Sequence, residues 1–154
     1  MNARTNFAPF PEWTWNVPDY FNIGVACTDA HLGTPVAERI AMIVEDDVHG
    51  TTTATYAQLA NLTSRFAALL NSHNIAHGER VLIRLPNSLD YPTAFLGAMK
   101  AGCIAVPTST LLTAEEVLYL AKDSGAKVLV MDRATWTQLA PRMADAPNLS
   151  LIHI

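Results

Sequence analysis

Residues 80–117 read RVLIRLPNSLDYPTAFLGAMKAGCIAVPTSTLLTAEEV. The run 81–85 is short and apolar and is stopped by Pro86-Asn87, which predicts a strand ended by a turn. From 89 to 101 the larger apolar residues recur at helical spacing: Leu89, Pro92, Phe95, Leu96 and Met99. Gly102 stands where a helix C-terminus favours a left-handed residue. A second apolar run, 104–106, is stopped by Pro107. Strand, helix and strand joined this closely predict a right-handed parallel crossover.

The pattern continues downstream. Thr113 is placed to cap a helix, and Glu116 stands three residues on, the spacing of a capping box. Glu115 and Glu116 in the first turn suit the positive end of the helix dipole. That helix is expected to end at Asp123-Ser124-Gly125. KVLVM at 127–131 is a strand of the buried type, and 134–143 is a short helix interrupted at Pro141. Residues 149–154 read either as a last strand or as a tail foreign to the native fold.

Upstream, Pro18 suits the first position of a helix running to about Leu32, closed by Gly33-Thr34-Pro35. RIAMIV at 39–44 and the β-branched run 51–55 flank a polar turn and predict a hairpin. Residues 56–74 form the clearest amphipathic helix, with Leu59, Leu62, Phe66, Leu69 and Leu70 on one face and Thr55 as cap. Alternating strands and helices after residue 80 predict an α/β fold: a mainly parallel sheet with helices on its faces, preceded by an N-terminal β-hairpin. Residues 1–17, with Pro9, Pro11, Trp13 and Trp15, read as an extended arm whose aromatics pack on the body. The α/β part occupies 18–154.

The 154 residues suit a single domain, and with half of them hydrophobic a sizeable core can form. The net charge of −4 and the scatter of Lys and Arg argue against nucleic acid as a partner. Cys27 and Cys103 are too few and too far apart for a disulfide framework or a zinc ribbon, and read as buried or half-buried free thiols in a reducing compartment. No apolar stretch approaches the ~20 residues of a membrane span. The first 15 residues lack the apolar core of a secretion signal. These features place the chain in the cytoplasm.

Few residues offer chemistry. Neither G-x-G-x-x-G nor G-x-x-x-x-G-K-[ST] occurs, and the turns after the strands at 81–85 and 127–131 contain no glycine, so no phosphate cradle is legible. Glu45, Asp46, Asp47 and His49 cluster, but as a solvated hairpin tip rather than a metal site. His73 and His77 mark a helix exit, and Asp90 is a first-turn dipole partner or cap. The loop 107–113, PTSTLLT, is the best candidate. It leaves the carboxyl end of a parallel strand, where open α/β sheets place their ligands.

These segments carry a family resemblance. PDYFNIGVACTDAH at 18–31 is similar to the opening helix of acyl- and benzoate-type CoA synthetases. ATYAQL at 54–59 resembles the first family motif. The run from Gly78 to Val130 matches in order and spacing the early part of the adenylate-forming, AMP-binding superfamily. The resemblance implies an acid–thiol ligase that activates a fatty or aromatic carboxylic acid with ATP and magnesium and passes it to coenzyme A. It also implies that the chain is the N-terminal piece of a longer enzyme. The family's phosphate loop, its Tyr/Thr-Glu motif, its ribose-binding Asp and its lid lysine have no counterpart in residues 1–154. No catalytic residue is therefore carried over and the chain alone is expected to be inactive. Thr110 and Leu111 alone are assigned, beside the acyl or pantetheine channel. Such an incomplete piece is expected to expose apolar surface at Val128, Leu129, Val130 and the 104–106 strand. The alternatives are a peptide-synthetase adenylation domain or luciferase-like enzyme, and a non-catalytic α/β binding module.

Overall fold

The computed structural model describes residues 14–47 and 50–153. Strand β1 (Ile40–Asp46) pairs antiparallel with β2 (Gly50–Thr55), with Ile43 opposite Thr53. The expected hairpin is present. Glu45, Asp46 and Asp47 are exposed at its end, and His49 lies outside the described residues. Helix α2 (Tyr56–Ser72) starts from a capping box: Gln58 N donates to Thr55 Oγ1 at 3.2 Å, and Thr55 N donates to Gln58 Oε1 at 2.8 Å. Two orphan donors of the first turn are thereby satisfied.

The second sheet is parallel throughout. Strand β3 (Arg80–Arg84) lies between β4 (Ile104–Pro107) and β5 (Val128–Met131), and β6 (Ser150–His153) adds outside β5, giving the order β4-β3-β5-β6. Helix α3 (Asp90–Lys100) connects β3 to β4, α4 (Ala114–Ser124) connects β4 to β5, and α5 (Arg133–Leu139) with a 3-10 segment (Ala140–Asp145) leads to β6. Side-chain alternation divides two cores. Val81, Ile83, Val128 and Val130 pack with α2 and α3, while Leu82, Leu129 and Met131 pack with α4 and α5.

Several expectations are corrected. Val128, Leu129 and Val130 are fully buried rather than exposed, because helices cover both faces and β6 covers the far edge. The exposed edge is β4, where Ile104 is 51% accessible. Residues 150–153 form a strand in parallel register, and Ile152 is buried in the core. The helix placed at 18–32 shrinks to α1 (Ile23–Ala26) and a 3-10 turn (Asp29–His31). Its start is set by Asn22 rather than Pro18: Asn22 Oδ1 accepts from Val25 N, while Asn22 Nδ2 donates to the carbonyls of Met99 and Lys100 at the end of α3. The arm proposed for 1–17 lies largely outside the described residues. Of its aromatics Trp15 is described, and it is 81% exposed. Cys27 is exposed and Cys103 buried.

The amphipathic faces also move. On α2 the fully buried positions are Leu59, Ala60, Thr63, Phe66, Ala67 and Leu70, while Leu69 is exposed. On α3 they are Thr93, Ala94, Gly97 and Ala98, with Phe95, Leu96 and Met99 only half-buried. The helices meet through small residues because their backbones lie close. A Cβ on Gly97 would stand 2.9 Å from Thr63 O and from Phe66 Cδ1. A Cβ on Gly24 would stand 2.5 Å from Leu96 O, so α1 rests directly on the backbone of α3.

Candidate functional site

In a sheet of this order the crossovers leave β3 and β5 on opposite faces, and ligands of open α/β sheets bind outside the carboxyl ends at that divide. Here the gap is filled. Arg84, the last residue of β3, is 5% exposed and lies against Met131, Ala114, Val117 and the α5 residues Thr135 and Gln138. The space left is about 10 Å3, room for roughly one water.

The open cleft lies one strand over, between the ends of β3 and β4. It has a volume of about 340 Å3 and is walled by residues 85–87, Tyr91 and residues 108–110. Asn87 and Tyr91 also wall a second groove of about 270 Å3 that runs toward Met42, Ile43, Val44 and Glu45 on β1. Tyr91 is backed by Phe95, the two rings stacked with centroids 6.1 Å apart. A further hollow of about 280 Å3, lined by residues 125–127 and 145–149, lies at the amino ends of β5 and β6, away from the strand ends that bind ligands in such folds.

The loop 107–113 is tied down at both ends. Thr108 donates from N and Oγ1 to Ile83 O at 2.8 and 3.2 Å. Leu111 N donates to Ser109 Oγ at 3.1 Å. Thr113 Oγ1 accepts from Glu116 N at 3.3 Å, and Thr113 N donates to Glu116 Oε2 at 2.8 Å, the capping box read from the sequence. The backbone N–H of Thr113 holds the Glu116 carboxyl below the usual glutamate range, with its hydroxyl adding to the effect. Between these anchors Arg84 Nη2 donates to the carbonyls of Thr110 and Leu112, at 2.7 and 2.9 Å.

The two residues assigned from the sequence therefore part company. Thr110 lines the cleft, whereas Leu111 is 91% exposed and is not among the residues that wall it. Arg84, Asn87 and Tyr91 were not singled out. Arg84 had a signal: a charge at the end of VLIRL shares the face of Leu82 by alternation, so it must either be buried or end the sheet. Asn87 and Tyr91 had none beyond following a strand.

No glycine occurs in the turns after β3 or β5, and no group of three or more His, Cys, Asp or Glu among the described residues could hold a metal ion. His73 closes α2 as its C-cap, as its position suggested. Asp90 opens α3 without capping it through its side chain. No helix among the described residues is long and apolar enough to cross a membrane.

A four-stranded parallel sheet with helices on both faces and an open cleft at its carboxyl edge defines an α/β domain. More particularly, the chain belongs to the AMP-binding enzyme family, whose model matches residues 31–153. It is 45% identical over 76 residues to the long-chain-fatty-acid–CoA ligase FadD13 of Mycobacterium tuberculosis, a match covering 49% of this chain and 15% of that protein. It is 29% identical over 127 residues to the 3-hydroxybenzoate–CoA ligase of Aromatoleum sp. (strain CIB), covering 79% and 24% of the two chains. Among solved structures, a benzoate CoA ligase from Burkholderia xenovorans LB400 superposes with a TM-score of 0.73 at 26% identity, over 88% of this chain and 26% of that one. The anthranilate CoA ligase AuaEII, solved with anthranoyl-AMP, has the same fold, with a TM-score of 0.78 at 24% identity over 90% and 26% of the two chains. The chain thus spans about a quarter or less of the length of these relatives.

Proposed function

We propose that this chain is the N-terminal part of an ATP-dependent acid–thiol ligase that activates a fatty or aromatic carboxylic acid. In the reaction the acid's carboxylate attacks the α-phosphorus of ATP and pyrophosphate leaves. The thiol of coenzyme A then attacks the acyl carbon and AMP leaves. The observation that carries this reading is the family match across residues 31–153, with relatives named as ligases of fatty and hydroxybenzoic acids to CoA. In this reading the chemical steps belong to residues outside this chain, since neither glycine-rich phosphate motif occurs in its sequence, and the magnesium that such a reaction employs is held there too. In this division of labour residues 18–154 are part of the larger α/β domain, working in the cytoplasm. Thr110 and Leu111 contribute to the wall that meets the acyl or pantetheine chain. Thr110 would do so from within the 340 Å3 cleft and Leu111 from the outer side of the same loop.

The test is ATP–pyrophosphate exchange with a panel of fatty and aromatic acids. The 154-residue chain should give none above a no-protein control. The full-length protein carrying it should exchange with at least one acid and form a thioester when CoA is added. Exchange by the short chain would refute the placing of the phosphate site; absence of exchange by the long one would refute the ligase reading.

A further inference from the structure

We propose that Arg84 is a positioning residue: by holding the carbonyls of Thr110 and Leu112 with one nitrogen, it presents Leu111 outward as the loop's apolar contact for substrate. The proposal rests on the functional reading above and names how the loop of that site is held.

The geometry starts with a buried charge that has no ordinary purpose. Arg84 is 5% exposed, and its Nε has no hydrogen-bond partner. No ion pair joins it to a carboxylate among the described residues. A buried guanidinium without a counter-ion is a net cost to folding, and well-packed apolar residues at such positions are commonly as stable or more so. Stability therefore does not explain an arginine here. Direct binding of a substrate carboxylate or phosphate does not explain it either, because the space beside it admits only about one water.

What Arg84 does make is a clamp. Its Nη2 donates to the carbonyls on either side of Leu111, at 2.7 and 2.9 Å. With both flanking carbonyls turned inward on one atom, the intervening side chain is held outward. Leu112, the next residue, packs into the α4 core, while Leu111 is 91% exposed. A planar guanidinium with paired hydrogens suits two carbonyls at once better than the point charge of a lysine.

The test uses Arg84→Met, Arg84→Lys and Leu111→Ala in the full-length protein. Arg84→Met should keep or raise the melting midpoint. It should also speed amide exchange of residues 109–112 by about tenfold or more, as local opening of the loop. Its KM for acid or CoA should rise on the order of tenfold while kcat stays within about twofold, the scale of one lost apolar pocket contact. Arg84→Lys should fall between. Leu111→Ala should show the same KM change with normal exchange. The double variant should be no worse than Leu111→Ala alone, the non-additivity expected when one residue acts through the other.

Unchanged exchange in Arg84→Met would overturn the clamp. Additive KM effects, or a Leu111→Ala enzyme with unaltered kinetics, would overturn the presentation of Leu111 and leave Arg84 a structural tie. If the wild type ligates no acid, the functional reading fails separately, and exchange in Arg84→Met still decides whether Arg84 holds the loop.

Discussion

Helices α3 and α4 have the same length, 11 residues each, and flank the same strand from opposite faces, yet they are specified by different means. Helix α4 is written locally. Thr113 and Glu116 close a capping box, Glu115 and Glu116 meet the dipole's positive end, and Gly125 ends the helix at φ 62°. Its buried side chains, Val117, Leu118 and Ala121, lie at helical spacing. Helix α3 has no side-chain N-cap and buries small residues: Thr93, Ala94, Gly97 and Ala98. Its carboxyl end is held from a distance. Asn22 donates to the Met99 and Lys100 carbonyls. The Lys100 ammonium pairs with Asp29 and donates to Thr63 Oγ1 at 2.8 Å and Ser64 Oγ at 3.1 Å. Both helices were legible as helices, but the buried face of α4 is written locally, whereas that of α3 is set by the fit of α1 and α2 against it.

The largest effect should come from Gly97→Ala. In an ordinary helix interior this change stabilises by ~1 kcal/mol. Here the new methyl meets Thr63 O and the Phe66 side chain at 2.9–3.0 Å, so overpacking should cost about 1–3 kcal/mol, read as a lower midpoint in a urea melt. A neutral or stabilising result would break the contrast between the helices. On α4, Thr113→Ala should cost about 1 kcal/mol, the loss of a helix cap, with exchange rising only at residues 113–117.

A smaller effect concerns acid. Burial acts to raise the Asp29 carboxyl, but hydrogen bonds from Lys100 and Thr28 and the Lys100 charge outweigh it, so the group ionises below its ordinary value of 3.8. A depressed folded value means that the contribution to stability is full above 3.8 and is lost as pH falls through the lower folded value. Melts taken downward through that window should show an acid slope that Asp29→Asn flattens. The smallest effect is on reactivity. Burial, with the Glu79 charge, pushes the Cys103 thiol up, so exposed Cys27 should react with a thiol reagent well before Cys103. In Gly97→Ala the protection of Cys103 should fall, because it packs in the same core as Ala94 and Ala98.

The candidate site was legible to a similar degree. Loop 107–113 was found because Pro107 stops a strand and Thr113 caps a helix, both local signals. Arg84 was absorbed into an apolar run, since one charge among Val81, Leu82, Ile83 and Leu85 does not disturb a strand pattern. Asn87 and Tyr91 follow a strand as many residues do. Only the packing of β1 and the 107–113 loop on either side makes them walls of two grooves. The helix placed at 18–32 was misjudged for a related reason: Pro18 is permissive at a helix start, whereas Asn22 fixes the start by reaching α3, 77 residues away.

By itself the sequence determined the alternation of strands and helices, the hairpin, the caps of α2 and α4, the parallel crossovers and the family. These follow from near-neighbour stereochemistry and from apolar periodicity, which act within a few residues. The tertiary structure alone decided which faces of α2 and α3 are buried, that β6 completes the edge beside Val128, Leu129 and Val130, and that a buried Arg84 turns Leu111 outward. Each of these depends on how closely two backbones approach, or on which carbonyls lie within reach of a distant nitrogen, and such distances are fixed only when the elements pack.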